Sequence, residues 1–391
     1  MNTTDLTPLV ERPYLDFYRK QAKELLKAAR AGDQEAIVRM RRSHPHPSRF
    51  NPVADEDVRV TLLADAQVVL ARENGFESWP KFRRFVEEVI KANTPVSDFE
   101  RAADAIVNGD SALLRRLLGA NPGLIKARSP RVHRCMLLHY VGSNGFENYR
   151  QKTPPNALEI LNILLDAGAE VDAPAETYGR GTTLGLVATS VHPVIAGVQL
   201  ELLQRLIDAG ADVNGGPGSW NVVNACLANG RGVAARFLAD RGARLNLESA
   251  AGVGRLELVE GFLSAGVDLQ SKDMVSGFMW ACEYGHDEVV AFLVEKGVDL
   301  SASGWGGMTP LHWAVIGGQA GTAKLLLAHG AALEAENAFG GTALGQALWS
   351  AEDDKTGLDF RPVVRVLVEA GARTDLSREM SERVLALLRD A

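Results

Sequence analysis

The residues of this chain best suited to chemistry lie in two groups. Between His139 and Gln199 the sequence places His139, Tyr140, Asn144, Tyr149, Arg150, Gln151, Glu176, Tyr178, Arg180, Thr189, Ser190 and His192 in three loop-like pieces. Such donors, acceptors and phenols, if they converge under a loop, suit a small polar ligand or a peptide end. Two histidines without ligand spacing do not make a metal site. Ser190 and His192, two apart with no positioned acid, do not make a nucleophilic triad. No catalytic residue, metal ligand or cofactor is therefore assigned. In the second group Glu283, Tyr284, Trp305 and Trp349 put acids and large aromatics at repeated positions, a composition that suits recognition of a basic or apolar peptide. A third cluster, Glu352, Asp353, Asp354 and Asp359, lacks the alternation and glycine of a calcium loop and reads as a solvated turn.

These residues depend on a repeated scaffold. In Gly307–Asn337, Thr309 and Pro310 open a helix, and the Thr309 hydroxyl is expected to accept from its first turn. Leu311, Ala314 and Val315 give it a narrow apolar stripe, Gly317 and Gly318 stop it, and Ala323 and Leu325 to Leu327 begin a second helix with a broader stripe. Gly330 then ends that helix. Glycines in the same role recur at 168, 210, 242, 266, 297, 330 and 371, with steps of 42, 32, 24, 31, 33 and 41. An earlier unit spans Phe99 to Arg128, giving eight in all. The step of 24 removes the extended hairpin. The long steps stretch the inter-helix turns into SNGFENYRQKTPPNA, SVHPVIAGVQ and SAEDDKTGLDFRP, the first two lying side by side in adjacent units.

The string Gly307, Thr309, Pro310, Leu311, His312, Ala314 resembles the ankyrin repeat, G-x-T-P-L-H-x-A-A followed by a second helix and G-A-D-V-N. LLADAQVVLARENGFESWPKF, ahead of the repeats, is similar to the N-terminal helical segment of bacterial ankyrin repeat domain-containing proteins. The resemblance implies an all-α solenoid with short β-hairpins, a protein-binding concave face that includes the slot of Glu283, Ile316 and Trp349, and a histidine at 139 and 312 bonded to the next hairpin. It also implies that Trp280 and Trp313 pack between units.

Composition narrows the function further. The 391 residues carry 42 basic and 49 acidic side chains, a net of −7, and residues 1–95 hold +2 of it, leaving −9 on the repeats. That balance argues against nucleic acid as the main partner. The basic run Arg39, Arg41, Arg42, His44, His46 and Arg49 fits a helix end and turn. Cys135, Cys226 and Cys282 read as reduced core thiols. No leader-like start and no apolar run of spanning length is present, so the expectation is a cytoplasmic protein without a membrane segment. Residues 1–95 are expected to form a capping domain of four helices, with Ser78 capping the fourth, and 96–391 the repeat array closed by a helix over Ser377–Asp390. The leading functional reading is an interaction module for a protein partner. The alternative is an enzyme or small-molecule sensor using a loop-lidded pocket at 139–199.

Overall fold

The computed structural model describes residues 5–9, 14–50, 62–142, 144–177, 179–216, 221–353, 357–374 and 378–389. The chain divides into two compact units, Met1–Val222 and Val223–Ala391. Both are helical, as expected.

The first unit begins with the helices Leu15–Arg30, Gln34–Ser43, Leu63–Glu73 and Trp79–Val89. Their amphipathic stripes make two small cores, one around Ala22, Met40, Phe50 and Leu70, the other around Tyr18, Phe76, Phe82 and Phe85. Asp33 caps the second helix by accepting from Ala36 N at 2.8 Å. Ser78 does not act as expected: its backbone is extended at the N-cap of the fourth helix, but its hydroxyl makes no capping bond. The basic run is spent internally. Arg39 grips Glu73 with two bonds of 2.7 Å, Arg41 donates twice to Phe50 O, and Arg49 pairs with Asp65 at 2.8 Å.

Eight helix pairs follow among the described residues. In the first unit they are Pro95–Asn108 with Ser111–Ala120, the 3-10 turn Leu137–Val141 with Ala157–Asp166, and Thr183–Thr189 with Gln199–Asp208. The insertion SVHPVIAGVQ is partly helical, at His192–Ile195, with Pro193 in its first turn. The second unit, whose first helix begins at the boundary residue Val222, continues with Val222–Ala228/Gly232–Ala239, Leu247–Gly252/Leu256–Ser264, Lys272–Glu283/Asp287–Glu295, Pro310–Ile316/Ala320–Ala328 and Ala343–Asp353/Arg361–Glu369. The helix Arg378–Arg389 closes it. Small inner residues such as Ala250, Ala281, Ala314 and Ala347 let its inner helices approach closely, and Cys282 and Val315 lie in the same core.

All seven register glycines are left-handed, with φ between 85° and 93°. A side chain there would be strained, which is why glycine ends seven of the eight outer helices; the first, Ser111–Ala120, ends at Asn121 with φ −138°. The junctions are tight turns rather than regular hairpins. One isolated antiparallel bridge, Arg128 to Met136, forms among the described residues, while neighbouring turns are stitched by single bonds such as Ala338 N to Gly306 O at 2.8 Å.

Candidate functional site

The repeat histidines are structural. His312 Nε2 donates to Gly341 O at 3.0 Å, and its Nδ1 meets the Thr309 hydroxyl at 2.8 Å and the Thr309 N–H at 3.3 Å. The Thr309 hydroxyl thus pairs with the imidazole within a capping box at the start of the helix. His139 repeats the motif, Nε2 to Ala173 O at 2.9 Å, with Nδ1 accepting from Met136 N, and burial pushes its pKa down to about 4. The three cysteines are buried and outside any disulfide among the described residues, and burial pushes all three thiols up, Cys226 to about 12.

The expected convergence over 139–199 is partial. Asn144 Nδ2 donates to Thr189 Oγ1 at 2.7 Å and Thr177 Oγ1 to Gly145 O at 3.4 Å, so the three pieces do lie together. Tyr178 lies outside the described residues. His192 sits half-buried at the start of its short helix with its N–H directed to Ser190 Oγ. Tyr149 and Arg150 turn away from that residue into a different assembly.

That assembly is a buried charge cluster centred on Glu147, which is fully buried and holds φ at 47°, a left-handed conformation costly for a residue with a side chain. Its Oε1 accepts from His133 Nε2 at 2.8 Å and Tyr140 Oη at 3.1 Å. Its Oε2 accepts from Arg150 Nη1 at 2.7 Å and Tyr149 Oη at 3.1 Å. Cys135 N donates to His133 Nδ1 at 3.1 Å, which fixes the tautomer that puts the proton on Nε2. Arg150 also bonds Asp104 at 2.8 Å and Glu100 O at 3.2 Å. Burial opposes ionisation of Glu147, yet Arg131, Arg150 and the His133 bond outweigh it and hold the carboxyl well below the usual range. Burial and the carboxylates push the Tyr149 and Tyr140 phenols upward, so both remain neutral donors.

A half-open cleft of about 430 Å³ borders the cluster, walled by Ser97, Glu100, Arg101 and Asp104 on the helix Pro95–Asn108, by Arg131, Tyr149 and Arg150, and by Pro8, Leu9 and Val89. Only Tyr149 and Arg150 of the expected set reach it. Sequence reasoning missed Glu100, Arg131, His133 and Glu147. The loop PRVHRC offered the only signal, an arginine and a histidine beside an apolar run.

In the second unit the expected residues divide. Glu283 is buried without an ion pair among the described residues, and burial raises its pKa to about 8. Tyr284 is half-buried: its hydroxyl donates to Leu227 O, and its ring lies where a side chain on Gly232 would be, 2.4 Å from the position of an added Cβ. Trp305 and Trp349 are open, at 73% and 60% exposure. Trp305 is paired with Phe339, 72% exposed, at 6.1 Å between ring centroids. Phe339 was legible as the turn-tip residue one repeat on from Trp305. Trp280 and Trp313 are half-buried, and Trp313 packs against the core. In the acidic loop, Asp359 pairs with Arg361 at 2.7 Å and Glu352 with Arg383 at 2.8 Å, while Asp354 lies outside the described residues.

Paired helices closed by a left-handed glycine and tied forward by a histidine define a helical-repeat protein. Residues 247–337 and 278–378 match the family model of ankyrin repeats in three copies. That stretch of the second unit is similar to ankyrin repeats. No curated protein matches the chain. Among the described residues no helix is long and apolar enough to cross a membrane.

Proposed function

We propose that residues 223–391 present an acidic, aromatic surface to a basic, apolar-containing segment of a protein partner. The observation that carries this reading is the exposed pair Trp305 and Phe339, with Trp349 on the inner-helix slot of the next unit. Large aromatics left in water are the usual anchors of an interface. Electrostatics supports the choice of partner. Residues 223–391 hold 15 basic and 22 acidic side chains, which accounts for the whole net charge of −7, so a basic segment would be steered toward them. Glu283 and Tyr284 support this surface from below, through packing, instead of contacting the partner. Residues 1–95 act in this reading as a cap on the first repeat: Val132 N bonds Gly75 O at 2.9 Å, and the Arg131 guanidinium lies 4.9 Å from the Phe85 ring. Three buried thiols fit a reducing compartment.

The test is selection of a displayed random-peptide library on the full chain. Peptides rich in Lys or Arg with an apolar residue should be enriched, and should lose binding to the Trp305→Ala, Phe339→Ala double variant. Enrichment of acidic peptides, or equal binding to the variant, would refute the proposal.

A further inference from the structure

Two buried groups on the wall of the cleft in the first unit are incompletely engaged. Arg131, 2% exposed, donates from Nη1 to Glu100 Oε1 at 2.6 Å and lies 3.4 Å from Glu147 Oε1. Its Nε and Nη2 meet no acceptor among the described residues. Glu100, 5% exposed, gives Oε1 to Arg131, while its Oε2 stands 3.0 Å from Arg150 Nη1 without an aligned hydrogen bond. Arg150, by contrast, is committed to Asp104, Glu147 and Glu100 O.

A buried acceptor left without an aligned donor destabilises a folded chain. The two open groups adjoin one cleft and have opposite requirements. The free edge of a guanidinium is a fork shaped for a carboxylate. A plain anion would nevertheless face Glu100 and Asp104, four residues apart on one face of their helix, and a plain cation would face Arg131 and Arg150. A ligand carrying both charges on neighbouring atoms gives each group a partner of opposite sign. The volume, about 430 Å³, is that of a small-molecule site, and Leu9 and Val89 offer an apolar wall to a side chain.

We propose that this cleft binds a free α-amino acid, its carboxylate on Arg131 Nε and Nη2 and its ammonium on Glu100 Oε2, with Asp104 at the mouth. The site lies within the first unit and stands or falls separately from the surface assigned to residues 223–391.

The experiment is calorimetric titration of the full chain with each of the common L-amino acids, with acetate and ethylammonium as single-charge controls. Saturable binding of at least one amino acid at millimolar concentration or below is expected, with both controls at least tenfold weaker. No binding by any amino acid, or acetate binding as well as the best of them, overturns the assignment. Arg131→Lys keeps the charge and removes the fork, and should weaken binding at least tenfold. Because that variant disturbs the cluster, Ser97→Leu provides a second reading: it fills the cleft wall without touching an ion pair, and with the circular dichroism spectrum unchanged it should abolish binding. Retained binding in a folded Ser97→Leu chain refutes the site.

Discussion

Replacing Glu283 with Gln tests the energetic consequence of burying a carboxyl that has no cationic partner among the described residues. In the folded chain burial raises its pKa from the usual 4.5 to about 8, and its one polar neighbour of note is the Tyr284 hydroxyl. A folded-state pKa above the unfolded value means that the folded chain holds the proton more tightly. Stability is then greatest below the unfolded value and falls as pH rises toward the folded one. The slope is about 1.4 kcal/mol per pH unit for one proton. Between about pH 5.5 and pH 7.5 the native chain should therefore lose about 2–3 kcal/mol relative to Glu283→Gln, which keeps the shape and carries no titrating proton. Other groups titrate in this range, among them His286, whose pKa burial lowers to about 4, but they are common to both chains and cancel in the difference. The assay is urea unfolding of both proteins at several pH values, followed by circular dichroism. A stability difference that does not change with pH would show that Glu283 is ionised in the fold and refute the argument.

Removing the charge at the centre of the first unit should have the opposite sign: Glu147→Gln leaves Arg131 and Arg150 under-compensated and should cost about 3–5 kcal/mol by chemical denaturation. The depressed Glu147 pKa also predicts that its contribution, present above the unfolded carboxyl value, is lost as pH falls toward the folded one; the acid unfolding limb should flatten in Glu147→Gln. Gly317→Ala should be severely destabilising although its backbone is ordinary, since an added Cβ would lie 1.7 Å from Glu283 O; a melting temperature within a degree or two of the native value would contradict this. Trp305→Ala and Phe339→Ala should leave stability within about 0.5 kcal/mol, because both rings are solvent-exposed, so any loss of peptide binding reports the surface itself.

The scaffold was legible in the sequence because its signals are local. Gly330 and its six equivalents must be left-handed wherever the chain leaves an outer helix, and His312 reaches only as far as Gly341. The charge cluster was not legible. Arg150 and Glu100 are 50 residues apart, a separation that does not belong to the repeat, so nothing in the periodicity announces that they meet. Tyr149 and Arg150 were singled out for their types, but they bond Glu147 of their own loop, and Arg150 also Asp104 and Glu100 of the helix Pro95–Asn108, instead of the neighbouring insertion with His192. Tyr284 shows the limit from another side. It stands next to the partner-facing slot of Glu283, yet Gly232 leaves room where a larger residue would stand, and the ring turns inward to fill that space. Phe339 was overlooked only because attention fell on tryptophans.

The contact of Tyr284 with Leu227 and Gly232 has a consequence for how the second unit comes apart. In a simple stack each helix pair is coupled only to the one beside it, and the array can fray from an end one pair at a time. Here the pair Lys272–Glu283/Asp287–Glu295 reaches past its immediate neighbour to the pair beyond, which makes three consecutive pairs a single cooperative block. Amide exchange should then reveal a plateau: the C-terminal pairs exchange by stepwise fraying, and residues 223–295 open together, held by one phenol spanning the shortest repeat.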